Sequence, residues 1–394
     1  MKYHHHLTES AFEILCEVFL QNRSIDQSLE KAMKLQKKWG GRDRRFVSEV
    51  VFDSSRWLRR NWERLGYSWN DHKSIDSETI KSSIAVKVFD LLGSYPDQLL
   101  GAWGAFQAPL PIKAEDFSLS DFLFRAGNES FGQNAQEVFC ELNKEAPIFI
   151  WPNINKISFH QLISALVRNE IDFIKLEGGV SLTDRKKLKE LLKQLDGMVE
   201  IQDINSKQVI DKLDPRPGDK VLDACAGKGG KTLRIAERIG KTGKVHALEI
   251  VPQKVEHTKR RSLRAGLHNV ETSLSPDKLP EKWKSHFDRV LIDVPCTGVG
   301  VVRRHPERKY QKNDQSFQEM LGLQKKLLEQ YAYATKSQGV IVYSTCSFIP
   351  EENELQIKKF LSNHSDFEVI EQNLFTPIQN NGDVLFYSIL RRKD

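Results

Sequence analysis

Lys220-Val-Leu-Asp223-Ala-Cys225-Ala226-Gly227-Lys228-Gly229-Gly230-Lys231 begins as an apolar run, reaches a carboxylate and passes through a glycine-rich turn. Thr232 to Ile239 then repeats its apolar residues at helical spacing. Glycines at such a turn let the backbone approach a ligand, and the helix that follows offers free amides. Working outward, Lys244 to Glu249 reads as the next strand, followed by a basic helix and a strand near Val270. Asp288 to Asp293 is another strand, a long helix runs to about Tyr333, and Gly339 to Ser344 is a further strand before a helix from Pro350. The end is hairpin-like, with Phe367 to Ile370 and Val384 to Leu390. Strands alternating with helices imply a doubly wound, Rossmann-like α/β domain whose parallel sheet binds ligands at the carboxyl ends of its strands.

The turn narrows the ligand. The phosphate-cradling pattern G-x-x-x-x-G-K-[ST] is absent, and Gly227-Lys-Gly229 lacks the further glycine of a dinucleotide fingerprint. A nucleoside without pyrophosphate asks for less: a turn, then a carboxylate at the next strand end for the ribose hydroxyls. Glu249 ends that strand. S-adenosylmethionine is the natural candidate, held by residues 225–231 with Asp223, Glu249 and, after the third strand, Asp277. Pro276-Asp277 also fits ordinary turn chemistry.

At 394 residues the chain is long enough for two or three domains. Residues 1–145 have helical periodicity. Phe12, Leu15, Cys16, Phe19 and Leu20 follow one stripe, with Ser10 and Glu13 spaced as a capping box. Phe46, Val47, Val50, Trp57, Leu58, Trp62 and Leu65 lie near one stripe of a longer helix, and Ile80, Ile84, Val88, Leu91 and Leu92 suggest another. These aromatics read as bundle core, and Cys16 and Cys140 as small buried hydrophobes. Residues 146–213 read as a small α+β module. Its parts are a strand at Pro147 to Trp151, a helix from Phe159 to Arg168, a lysine-rich helix from Asp184 to Leu195 and a strand from Met198 to Ile201. Asp214-Pro-Arg-Pro217-Gly punctuates the boundary before the α/β domain, 214–394.

No stretch approaches a membrane span in length, and a cytoplasmic monomer is expected. The five cysteines are scattered, and no Cys or Cys/His pair has metal-ligand spacing, so reduced thiols and no metal site are expected. The net charge of +6 permits a polyanionic partner. Its clustering says more: Arg42, Arg44 and Arg45; Arg185, Lys186, Lys187 and Lys189; Lys259, Arg260, Arg261 and Arg264; and Arg303, Arg304, Arg308 and Lys309. Any one cluster is an ordinary solvated face, but the last lies beside a cysteine box, and together they point to nucleic acid.

Two cysteine boxes, Asp293-Val-Pro-Cys296-Thr-Gly298 and Ser344-Thr-Cys346-Ser347, each follow an apolar strand of the same sheet. Carbon-5 of a cytosine is too weak a nucleophile to accept a methyl group directly. A thiolate adding to carbon-6 makes carbon-5 enamine-like, and a second thiol can help the adduct break down. Asp293 is placed to polarise the ring as charge builds at nitrogen 3. Spacing alone leaves open which thiol attacks.

Asp223-x-Cys-Ala-x-x-Gly-Gly-Lys231, Asp293-x-Pro-Cys-Thr-Gly298 and Ser344-Thr-Cys-Ser347 with Pro350-Glu-Glu-Asn353 together resemble the NOL/NOP/Sun family of RNA cytosine-5 methyltransferases. The resemblance covers about residues 146–394 and is nearest to the bacterial 16S rRNA B-type members. Arg303-Arg304-His305-Pro306 and Gln202-Asp203 with Ser206 also look like that family, and Asp43-Arg-Arg-Phe46 is similar to its antitermination-factor-like helical domain. The resemblance implies that Cys346 is the nucleophile and that Cys296 assists product release. It implies that residues 225–231, Glu249, Asp277 and Asp293 hold cofactor and target base, and that Lys231, Arg303, Arg304 and His305 meet RNA. Lys228 stands where proline is usual, and Trp151-Pro-Asn153 where Arg-x-Asn is common. The reading is an S-adenosylmethionine-dependent methylation of small-subunit rRNA. Its rivals are a tRNA substrate, a DNA cytosine methyltransferase with Cys296 attacking, or an inactive RNA-binding assembly factor.

Overall fold

Alternate residues of the central strands are buried on opposite faces of one sheet, which is why their sequences read as continuous apolar runs. Leu222, Val290, Ile292, Ile341 and Tyr343 enter one core, and Val221, Leu291 and Val342 enter the other. The computed structural model describes residues 4–69, 74–92, 94–103, 106, 109, 117–182, 187–310 and 313–394. It divides into two compact units, Met1–Lys144 with Val301–Asn313, and Glu145–Gly300 with Asp314–Asp394.

In the second unit a small sheet comprises β1 (Ile148–Pro152), β2 (Ile174–Leu176), β3 (Gly179–Leu182) and β4 (Val199–Ile201), in the order β2-β3-β1-β4. The large sheet comprises β5 (Lys220–Asp223), β6 (Lys244–Glu249), β7 (Val270–Leu274), β8 (Phe287–Asp293), β9 (Thr335–Thr345), β10 (Phe367–Phe375) and β11 (Leu385–Arg392), in the order β10-β11-β9-β8-β5-β6-β7. The strands from β9 to β7 pair in parallel, while β11 runs antiparallel to both β9 and β10. The sheet is therefore mixed rather than wholly parallel, because the final hairpin returns along its edge. Helices Ile204–Leu213 and Gly230–Ile239 pack Val209, Ile210, Leu213, Leu233, Ala236 and Ile239 onto one face. Helix Gln315–Ala332 brings Leu328 and Tyr331 to the other.

Residues 146–213 also contain two elements not expected from the sequence, the β2–β3 hairpin and helix Ile204–Leu213. Asp203 caps that helix, accepting from the Asn205 amide at 2.9 Å. The lysine-rich helix runs Leu188–Gln194; its expected start, with Arg185 and Lys186, lies outside the described residues. Trp151 is buried over Gly179, where a Cβ would stand 2.3 Å from its ring. Asn153, also buried, donates to the Ala265 carbonyl at 2.9 Å and so ties this sheet to the end of helix Pro252–Ala265.

The first unit is helical. Helix His5–Leu20 starts ahead of Ser10, so no capping box forms there; the Ser10 hydroxyl bonds back to the His6 carbonyl. The expected longer helix is two, Gly41–Arg56 and Leu58–Arg64. The Tyr310 hydroxyl enters the break, accepting from the Leu58 amide and donating to the Ser55 carbonyl, each at 3.0 Å. Lys309, counted above in a basic cluster, is fully buried in the same unit. It donates to the Arg56 carbonyl at 2.8 Å and the Phe117 carbonyl at 3.1 Å. Asp43 caps helix Gly41–Arg56 through the Gly40 amide at 3.0 Å. Cys16 packs against the core as expected, whereas Cys140 is exposed.

Candidate active site

The strand order turns over between β5 and β8, and at such a switch point the connections leave in opposite directions and open a crevice. Asp223 ends β5, Glu249 ends β6 and Asp293 ends β8. The register places Asp293 opposite Ser344 of β9, and the Ser344 hydroxyl donates to Asp293 Oδ1 at 2.7 Å. Each cysteine box continues from one of these paired strands, so the pairing carries the two thiols to the same place. Cys296 Sγ and Cys346 Sγ are 3.4 Å apart, both as free thiols.

A cavity of about 370 Å³ lies along this edge, lined by the carboxylates Glu249, Asp277 and Asp293 and by Ala224, Cys225 and Gly227. Gly227 and Gly229 both have left-handed backbone, with φ of +56° and +83°. Gly229 is held tightly, since a Cβ there would stand 2.6 Å from the Thr258 side chain. Asp223 is buried beneath the turn, where Thr232 donates to its Oδ2 at 2.6 Å and its Oδ1 has no partner. Burial pushes this carboxyl up to about 6. Burial likewise pushes the Cys225 thiol up. Glu249 accepts from the Val251 amide at 3.0 Å. An acid-lined cavity the size of a nucleoside site, with an unpartnered buried carboxylate oxygen beneath it, fits a cationic sulfonium nucleoside.

Beside the thiols, Lys231 Nζ reaches Asp293 Oδ2 at 2.6 Å. Burial works against this ammonium, but Asp293 and the neighbouring Cys346 outweigh it and push its pKa up. Cys296 is pushed well up by its hydrogen bond with Cys346, by burial, and by the negative charges of Cys346 and Glu352.

Lys228 is exposed, its carbonyl accepts from Arg261, and the cavity is lined by its neighbours Cys225 and Gly227. Asp277 is exposed at the cavity mouth beside Ser275 and Pro276. Arg303, Arg304 and His305 belong to the first unit, where Arg303 is buried and its carbonyl accepts from Arg56 at 3.3 Å. Leu327, Gln330 and Tyr331, which carry no functional signal in the sequence, wall the cavity from helix Gln315–Ala332. Their spacing marks one helix face, but nothing local says that the face looks onto a ligand.

A mixed sheet in this order, with carboxylates at the ends of β5, β6 and β8, defines a Rossmann-like methyltransferase domain. Residues 210–390 match the family described as 16S rRNA methyltransferase RsmB/F. It is 38% identical over 206 residues to ribosomal RNA small subunit methyltransferase B of Serratia proteamaculans, covering 50% of this chain and 47% of that one. The protein of the same name from Proteus mirabilis is 29% identical over 331 residues, covering 80% and 76%. The chain thus spans about half the length of the first curated relatives it matches. Among solved structures, a methyltransferase homolog protein from Pyrococcus horikoshii superposes with a TM-score of 0.62 at 26% identity, covering 70% of this chain and 96% of that one. The structure of PH0851 shares the fold, with a TM-score of 0.81 at 20% identity over 100% of both chains.

Proposed function

We propose that this protein methylates carbon-5 of a cytosine in small-subunit ribosomal RNA, with S-adenosylmethionine as cofactor, Cys346 as nucleophile and Cys296 assisting release. The observation that carries this reading is the pair of thiols 3.4 Å apart, beside the Lys231–Asp293 ion pair and an acid-lined cavity. The curated relatives are named as small-subunit rRNA methyltransferases, which supports the substrate class.

When bound, the cofactor supplies an electrophilic methyl group on a positively charged sulfur. Asp223, Glu249 and Asp277, with the turn 225–231, would hold it and offset that charge. Cys346, as thiolate, bonds to carbon-6 of the base, which raises electron density at carbon-5. Lys231, fixed by Asp293, lends a proton at ring nitrogen 3 as charge gathers there, and Asp293 turns that ammonium toward the base. After carbon-5 has been methylated, its hydrogen passes as a proton to solvent water, and the carbon–hydrogen electron pair is left in the ring to expel the sulfur. The carbon-6–sulfur bond then breaks, its electron pair returns to Cys346, and nitrogen 3 gives its proton back to Lys231. Cys296 hydrogen-bonds the departing sulfur and so favours release.

The test is a pair of variants incubated with RNA and cofactor, then resolved under denaturing conditions. Cys346→Ala should abolish both methylation and adduct. Cys296→Ala should accumulate a covalent protein–RNA adduct. An adduct that survives in Cys346→Ala and is lost in Cys296→Ala would overturn the assignment. Bisulfite mapping of total RNA from cells with and without the protein tests the rRNA substrate.

A further inference from the structure

Glu352, in the Pro350-Glu-Glu-Asn353 box, is fully buried although it carries a carboxyl group. Three donors converge on it. The Thr297 amide reaches Oε1 at 2.9 Å, the Thr297 hydroxyl reaches Oε2 at 2.6 Å, and Gln324 Nε2 reaches Oε1 at 2.9 Å. The two N–H groups can only donate, so Oε1 acts as an acceptor for both and anchors the Thr297 backbone and the Gln324 side chain together. Among the described residues no Lys or Arg pairs with Glu352, so its charge is neutralised only by dipoles. Such a group is costly to bury and calls for a reason.

Its contacts run to one of the two thiols. Thr297 directly follows Cys296, and Gln324 also donates to the Pro295 carbonyl at 3.0 Å, on the other side of that cysteine. One buried carboxylate therefore grips the Cys296 loop from both flanks. We propose that Glu352 is the positioning residue that makes the two thiols unequal, fixing the Cys296 loop and keeping Cys296 protonated while Cys346 carries the thiolate. The groups facing Cys296 are Cys346, Glu352 and the buried Tyr343, together with the Gly298 amide. Cys346, by contrast, is among the groups whose negative charge pushes the Lys231 ammonium up. One thiol thus faces an anion and the other a cation, which is the arrangement required of a proton-bearing assistant beside an attacking thiolate.

This inference rests on the two-thiol reading, and its test is chosen so that the two can fail separately. In full-length protein carrying Cys346→Ser, the rate of iodoacetamide alkylation is followed at the Cys296 peptide by mass spectrometry across pH. Adding Glu352→Gln should move the midpoint down by about one pH unit or more, a roughly tenfold larger thiolate fraction at fixed pH. With Cys346 restored, Glu352→Gln should accumulate the covalent RNA adduct, as Cys296→Ala does, while adduct still forms at the parent rate. An alkylation profile that overlays the parent in folded Glu352→Gln protein overturns the proposal. Alkylation needs neither RNA nor cofactor, so a shifted midpoint with no adduct in any variant would sink the cytosine reading and leave the role of Glu352 intact. Gln324→Met, which loosens the loop without touching the charge, covers the case in which Glu352→Gln does not fold. It should speed Cys296 alkylation several-fold at every pH with no downward shift of the midpoint, and an unchanged rate overturns the proposal.

Discussion

Burial holds Asp223 at about 6 against an ordinary value of 3.8, with one oxygen lacking any partner. A carboxyl raised in this way is neutral in both folded and unfolded chains at low pH. It then costs stability as pH climbs from about 4, where the unfolded chain ionises, to about 6, where the folded one does. Asp223→Asn removes that titration. Its stability relative to the parent should therefore improve by up to about 3 kcal/mol between pH 4 and pH 8, read from denaturant midpoints at several pH values. Cofactor affinity should fall over the same range. Equal midpoint differences at both pH values would show that the burial cost is relieved elsewhere. Asp223, Asp293 and both thiols were legible as residues because each sits at a strand end, where short-range spacing determines position. Glu352 was quoted in its box but had no legible role, since its donors come from 55 and 28 residues away.

At the scale of elements, the parallel strands were legible because apolar runs of that length, bounded by turns, have few other uses. Their register was not, and register is what brings Cys296 and Cys346 together. Gly300 closes this arrangement. Its amide donates to the Cys346 carbonyl at 2.9 Å, and its carbonyl accepts from the Val384 amide at 3.0 Å. A Cβ at Gly300 would stand 2.3 Å from the Val384 carbonyl oxygen and 2.9 Å from that of Cys346, both rigid backbone. Gly300→Ala should cost about 1–3 kcal/mol in a denaturation curve. It should also slow methylation by as much as about a hundredfold, because small displacements at a reacting centre cost far more in rate than in stability. A variant with parent-like turnover would show that the Cys346 loop tolerates the shift. The break at Trp57 and the β2–β3 hairpin were illegible for a related reason. The first depends on a hydroxyl from Tyr310, distant in sequence, and the second is short and has no buried residue in β2.

Across the whole molecule, positive charge is unevenly available, and burial decides which clusters remain free. Lys309 is spent on carbonyls inside the first unit, Arg44 donates to the Trp39 carbonyl at 3.1 Å, and Arg261 pairs with Glu200. Counting basic residues in the sequence therefore overstates the surface offered to a polyanion, and only tertiary contacts reveal by how much. Lys259 and Arg260 are different. They stand exposed on helix Pro252–Ala265, and Arg260 has only a 3.9 Å contact with Glu256. Cations that meet phosphates release counterions, so each contact to single-stranded RNA adds about 0.7 to the slope of log affinity against log salt. The combined Lys259→Ala and Arg260→Ala variant should lower that slope by about 1.4 in a titration series over several salt concentrations, again at about 0.7 per contact. Thermal stability should stay within about 0.5 kcal/mol of the parent, as for other surface changes. An unchanged slope would place the RNA path away from this helix and onto the exposed Arg42 and Arg45 or other basic surface.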